Sequence, residues 1–324
     1  MEIGGSGAVE TPTIAGRQPS DAARRQEPAR RGVAARLIGA VLSNPKALCG
    51  AVLLLAFVVI AIFAPLIAPY DPSAQQFLPT SPPASDHLLG TTSYGQDIFS
   101  QLVWGTRQSL LIGIVAGMAT TLISVVLGVT AAYLGGRADL LLSLFTDIFL
   151  VLPQLPLMIV IAAYFRGNSG VWVLIAVITL TGWAFGARQL RSQALSLRNR
   201  DFLESARIRG ERSSYIIVFE LLPTMTSLIA ANFLGAALYS VLAAAGLQFI
   251  GLGNIAEISW GTMLYWAENN EALLSGSPVW IIAPGICIAL LGASFALLNY
   301  AFDEIGNPAL RTVRRRRGRR AARP

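Results

Sequence analysis

Residues 201–223 read D-F-L-E-S-A-R-I-R-G-E-R-S-S-Y-I-I-V-F-E-L-L-P. The first ten form an arginine-rich amphipathic segment, set between long apolar runs. Asp201 followed three residues later by Glu204 reads as a capping-box-like helix start, with the aspartate accepting from first-turn N–H groups. Phe202, Leu203, Ala206 and Ile208 supply apolar surface. Gly210 is placed to end the helix, because glycine tolerates the left-handed conformation. Eight residues at the helical rise make a rod of about 12 Å. A short, stiff helix held at a membrane face suits insertion into a groove of another protein. An arginine-bearing helix lying on lipid headgroups has the same pattern, and spacing alone does not separate the two.

The flanking runs set the fold class. The chain has 324 residues, of which 54% are hydrophobic and 13% charged. A soluble domain carries roughly a quarter charged residues. A bilayer crossing takes about 20 mostly apolar residues. Six runs are candidates: 47–68, 110–134, 140–165, 171–186, 215–245 and 279–301. The fourth is short. The fifth is too long for one straight crossing and should end near Gly246 or Gly251. The expected fold is an all-α integral membrane bundle of six transmembrane helices. Pro153 and Pro156 should kink the third span. Gly113-x3-Gly117 and Gly182-x3-Gly186 allow close helix approach.

The net charge is +7, and its distribution argues against nucleic acid as a partner. Residues 17–46 hold seven basic side chains, 188–212 seven more and 311–323 eight, with Arg137 alone between the second and third spans. Threading six spans puts these 23 of the 25 on one side and leaves only Arg107 and Arg166 on the other. The positive-inside bias makes the basic side cytoplasmic, with both termini there. The C-terminal arginines read as a solvated tail near anionic lipid.

The organisation expected along the chain follows. Residues 1–46 form a basic cytoplasmic tail, and its first 36 residues are too poor in large apolar groups to order. Residues 33–42 form a short amphipathic lead-in. Ser43-Asn44-Pro45 starts the first span, with proline in the first turn. The long preceding tail and the lack of an A-x-A site make 47–68 a retained anchor, not a cleaved signal. Residues 69–105 are extracytoplasmic, and their five prolines exclude a long helix before Ser85. Residues 106–301 form a five-helix core, and 302–324 a second basic cytoplasmic tail. A second outer segment, 246–278, carries Trp260, Tyr265 and Trp266 with Glu257, Glu268 and Glu271. These aromatics fit an interfacial belt or a face turned to a partner or a passing solute.

Little here supports chemistry. Cys49 and Cys287 lie inside spans as small apolar residues. His87 is the single histidine, so no metal site is expected. A phosphate-cradling P-loop needs Gly-x4-Gly-Lys-Ser/Thr. The only lysine is Lys46, in S-N-P-K-A, so any ATP-driven process requires a separate subunit. Asp147 lies inside the third span, where acids face a cavity or a partner or sit satisfied near the cytoplasmic interface. Arg107 is placed to snorkel to the outer surface or to pair with Asp97.

Three blocks carry a resemblance. Glu204-Ser205-Ala206, three residues, Gly210, then Leu222-Pro223 resembles the E-A-A-x3-G-x9-I-x-L-P signature of ABC-importer permeases, with Ser205 for the second alanine and Glu220 where the pattern is apolar. H-L-L-G-T at 87–91, then Gly95, Asp97, Ser100, Gly105, Arg107, Ser109 and Leu110, is similar to a block marking the second permease subunit of dipeptide and oligopeptide importers. There Gln96 and Gln101 replace arginines. L-Q-F-I-G-L-G at 247–253, then Ser259-Trp260-Gly261 and Met263-Leu264, resembles a further block of that subunit, without the acid often preceding it. L-Y-W-A-E-N-N at 264–270 and residues 299–305 look more like an oligosaccharide branch.

The resemblance covers about 45–311. It implies a type I importer permease bundle that performs no catalysis, with Asp201, Glu204, Ser205, Ala206, Gly210, Leu222 and Pro223 in a coupling segment that docks on an ATPase. Implied partners are a homologous permease, two ATP-binding subunits that use ATP and Mg, and an extracytoplasmic solute-binding protein. The chain itself binds no cofactor, and its expected place is the bacterial inner membrane. The expected cargo is di- or oligopeptide, with oligosaccharide as the alternative. A proton-coupled secondary carrier is the competing class, and the scarcity of buried ionisable residues weighs against it.

Overall fold

The computed structural model describes residues 44–165 and 170–306. The N-terminal tail, the 33–42 lead-in, Arg166 and the C-terminal arginines lie outside the described residues. α1 spans Pro45–Ile62, with Pro45 in its first turn and Asn44 accepting from the Lys46 amide. The short α2, Ala64–Ile67, ends the first crossing. No helix follows until residue 98, as the prolines require.

This loop is nonetheless held by its own contacts. Thr91, Thr92 and Asp97 are buried, and Thr91 bridges to Asp97. The Asp97 carboxylate accepts from the Ser100 amide at 2.8 Å and from its hydroxyl at 2.6 Å. Asp97 therefore caps α3, Ile98–Leu134, and does not pair with Arg107, which is exposed. The sequence placed the span at Leu110, but the helix starts well before it. Its first turns are covered by protein: Trp260 packs over Gly105 and its indole N–H donates to the Leu102 carbonyl at 3.1 Å.

The third span is broken, not merely kinked. α4 is Gly136–Val151 and α5 is Gln154–Tyr164, bent by 86°. Pro153 cannot donate to the helical ladder. It also pushes the residue before it out of the helical region, and Leu152 is extended at φ −66°, ψ 133°. α6, Val171–Leu197, continues past the expected end at Gly186. Its polar last turns are held by protein: Arg191 donates to both oxygens of Asp139, on α4, at 2.6 and 2.8 Å.

α7 is Asp201–Ile208. The chain returns through a turn at Ser213–Tyr215, a π-helical stretch Ile216–Leu221 and a second turn Leu222–Thr224. α8, Thr226–Phe249, follows. The expected fifth span, 215–245, thus crosses only with its later part, and it ends between Gly246 and Gly251 as anticipated. α9, Trp260–Asn269, opens on a capping box between Ser259 and Thr262; the sequence reading had no helix there. α10 is Val279–Gly306.

Among the described residues five helices, α1, α3, α6, α8 and α10, are long and apolar enough to cross a membrane, and six crossings result if the bent α4–α5 pair is one broken span. The fold is a helical membrane bundle with α3 at its centre. A Cβ on Gly117 would come within 2.7 Å of the Ala237 Cα, so α3 and α8 touch backbone to backbone, as the Gly113-x3-Gly117 spacing predicts. In Gly182-x3-Gly186 the two glycines differ. At Gly182 the nearest neighbour of an added Cβ is Thr120 of α3, at 3.6 Å, whereas at Gly186 it would come within 2.6 Å of the Asn232 side chain and 2.7 Å of Ser124 Oγ on α3. The α3–α6 approach is close there and again at Gly128, against the Ala187 backbone. Nearby, the Ser124 hydroxyl donates to the Trp183 carbonyl at 2.7 Å.

Candidate functional site

α7 lies at the end of the bundle formed by the C-terminal ends of α3 and α6. Its cap is Arg200, which makes no side-chain capping bond. Asp201 is therefore the first helical residue and not the cap, a correction of one position. Asp201 and Glu204 both lie in the first turn, where negative charge offsets the unpaired N–H groups and the helix dipole. At the other end the Gly210 amide donates to the Arg207 carbonyl at 2.9 Å, and the Glu211 amide to the Ala206 carbonyl at 3.3 Å. That is a Schellman closure, and Gly210 takes the positive φ it requires, +77°.

The helix has two faces. Leu203 and Ala206, one turn apart, are fully buried against Val129, Ala132, Leu190, Ala194 and Ile216. Burying a leucine contributes about 1.5–3 kcal/mol, which seats α7 on the bundle. Opposite, Asp201, Glu204 and Ser205 are exposed and Ile208 is 81% exposed. The Ser205 hydroxyl donates to the Asp201 carbonyl at 2.8 Å, so replacing alanine by serine leaves no unsatisfied group. An exposed isoleucine beside two carboxylates is a surface suited to a protein groove.

Two arginines fix the ends of this platform. Arg207 lies over the Tyr133 ring at 5.2 Å and donates to the Arg198 carbonyl at 3.1 Å. Arg209 stands 3.5 Å from Glu220 in the π-helical stretch and 4.0 Å from Glu211. The position that departs from the sequence pattern, Glu220, therefore has an ionic partner on the α7 side. Leu222 packs on the same apolar cluster as Leu203. Pro223 is exposed and sits in the first turn of the short helix that follows the π-helical stretch, where a missing N–H costs little. The structure thus gathers Asp201, Glu204, Ser205, Ala206, Gly210, Leu222 and Pro223 into one region.

The other candidates lie apart from it. Asp147, on α4, is 3.8 Å from Arg188, and both side chains are more than half exposed. Arg107 lines a depression of about 500 Å³ with Trp104, Trp172 and Glu257. Among the described residues no cluster of three metal-ligating side chains occurs.

One feature passed over in the sequence is a cleft of about 420 Å³ between α3, α5, α6, α8 and α10. Thr120, Gln154, Gln189, Asn232, Tyr239 and Asn299 supply its polar groups, and glycines 182, 186 and 235 open its floor. Gln154 donates to the Thr181 carbonyl at 2.9 Å, and Asn232 reaches Gln189 at 3.5 Å. The signal was present as lone neutral amides inside apolar runs, which a search for charges overlooks.

With this geometry in place, comparison with known proteins is specific. Residues 124–305 match the family described as binding-protein-dependent transport system inner membrane component. Residues 40–83 match the N-terminal transmembrane domain of oligopeptide transport permease C. The dipeptide transport system permease protein DppC of Alkalihalophilus pseudofirmus is 31% identical, over 83% of this chain and 88% of that protein. The oligopeptide transport system permease protein OppC of Bacillus subtilis is 30% identical, over 83% and 87%. Its counterpart in Mycobacterium tuberculosis is 28% identical, over 85% and 94%. The match to the family model spans more than half of the chain and includes α7 and most of the bundle, so the chain belongs to the family of binding-protein-dependent transport system inner membrane components.

Proposed function

We propose that this chain is the second permease subunit of an ATP-driven importer of di- and oligopeptides. The observation that carries the reading is α7: a capped, two-faced helix whose inner face is locked to the bundle and whose outer face is unpartnered. Movement of whatever grips the outer face must move the bundle through Leu203 and Ala206. The printed names of the relatives, dipeptide and oligopeptide transport permeases, support the cargo.

In this reading residues 201–210 are the coupling helix, 47–68 the anchor, 69–105 an outer segment and 106–301 the core, with both termini cytoplasmic in a bacterial inner membrane. A homologous permease completes the path. Two ATP-binding subunits, using ATP and Mg, dock on α7 and on its counterpart. An extracytoplasmic receptor delivers solute. The chain contributes no catalytic group. ATP drives the cycle only because it binds the closed motors more tightly than the open ones. Asp97 shapes the outer end of α3, and Asp147 and Arg107 serve structural roles at the two faces.

The test is to purify the chain with its co-expressed permease and ATPase partners and to assay ATP hydrolysis with receptor and with peptides or oligosaccharides. Stimulation by peptides is the expected result. A chain that recruits no ATPase, or uptake that persists on a proton gradient without any ATPase, would falsify it.

A further inference from the structure

The cleft between α3, α5, α6, α8 and α10 needs an explanation of its own. It lies at the depth of the apolar helix segments: Thr120 is well inside α3, and Ser124 beside it bonds to Trp183 in the middle of α6. Polar groups at that depth cannot be left facing lipid, because the hydrocarbon offers no partner. Two polar atoms in the cleft wall are buried and without a hydrogen-bond partner, Thr120 Oγ1 and Asn299 Oδ1. A buried unsatisfied oxygen costs about 1–3 kcal/mol, so the polar character of this wall is kept at a cost in stability.

The chemistry of the wall narrows what it can bind. Among the described residues no charged side chain lines the cleft. Its polar groups are amides and hydroxyls, which both donate and accept. A wall of this kind suits neutral groups of the same double character and gives no counter-charge to an ion. Glycines 182 and 235 leave the floor open: an added Cβ would find no atom closer than 3.6 Å and 3.4 Å respectively.

Resting on the permease reading, we propose that this cleft is a solute-contact surface within the bilayer. It binds neutral donor–acceptor groups, peptide amides or sugar hydroxyls, and is indifferent to the charge of the cargo's side chains. Water occupies it between passages, as polar cavities of this size hold water.

Cysteine accessibility in the assembled complex tests this. Asn232→Cys and Gln154→Cys are made separately in a Cys49→Ala, Cys287→Ala background, with Val52→Cys on the exposed face of α1 as the control. Each is reconstituted with its permease, ATPase and receptor partners in proteoliposomes. Uptake by the unlabelled variants establishes assembly. The probe is a membrane-impermeant methanethiosulfonate, applied during ATP turnover with tri-alanine, with maltotriose or with neither. The expected result is labelling at both cleft positions, slowed several-fold by one of the two solutes, with Val52→Cys unlabelled. Which solute protects separates the amide source from the hydroxyl source. Absence of labelling in a complex that still imports would mean that the partner permease seals the cleft, and would overturn the proposal. Labelling that neither solute slows would overturn it too. Neither result resembles failure of the permease reading, in which no ATPase-coupled uptake is seen at all.

Discussion

Gly210 has nothing within 4 Å of where a Cβ would stand, yet its φ of +77° excludes ordinary side chains. Gly210→Val should strain the helix end by about 1–2 kcal/mol without any clash. The expected outcome is an assembled complex with reduced receptor-stimulated ATPase and uptake, read in proteoliposomes. Leu203→Ala acts differently. It opens a cavity under α7 at a cost of about 2–5 kcal/mol, and limited trypsin digestion should show faster cleavage at Arg207 and Arg209. Glu204→Arg on the outer face should leave the thermal midpoint of the purified chain in place while lowering stimulated ATPase; unchanged stimulation would remove the coupling role of that face. These features were legible because they are local. Gly210 and the paired acids advertise a helix end and a helix start by residue type alone. The start was misplaced by one residue because aspartate suits both the cap and the first turn, and only geometry separates them.

At the scale of elements, burial decided what the sequence showed. Hydropathy finds the lipid-facing part of a helix and stops where polar residues begin. α3 and α6 run beyond those points because protein, not lipid, covers their ends: Trp260 over Gly105, and Asp139 bonded to Arg191. Neither contact is local in sequence. The same blindness hid α9, whose Ser259–Thr262 capping box holds a short helix in a segment read for its aromatics. Contact between α3 and α8, by contrast, was visible in the glycine spacing. Gly117→Leu should therefore cost about 1–3 kcal/mol or more through overpacking, seen as a lowered aggregation temperature in detergent. Gly182→Ala should be tolerated structurally, since the cleft has room for the methyl. The ion pair between α4 and α6 admits a swap test. Asp139→Arg should lower the same temperature, and adding Arg191→Asp should restore part of it; no restoration would mean that the pair does not hold these helices together.

At the scale of the whole molecule, the bundle presents two kinds of surface. Its outer surface carries many exposed large apolar side chains, as a membrane protein's must, and its polar cleft opens to one side. The apolar runs pointed to six crossings, and five helices plus one bent pair are long and apolar enough to make them among the described residues. What no run revealed is that one crossing is discontinuous. Between Val151 and Gln154 the hydrogen-bond ladder stops and the axis turns by 86°. α4 is tied to the C-terminal end of α6 through Asp139 and Arg191, while α5 rests against α8, where the Tyr239 hydroxyl meets the Met158 sulfur at 3.9 Å. A continuous helix is a stiff rod that carries axial load from end to end. This crossing is two struts meeting at an elbow, so a push along α4 at Asp139 is not carried straight on to Tyr164, because no helical ladder spans Leu152–Pro153.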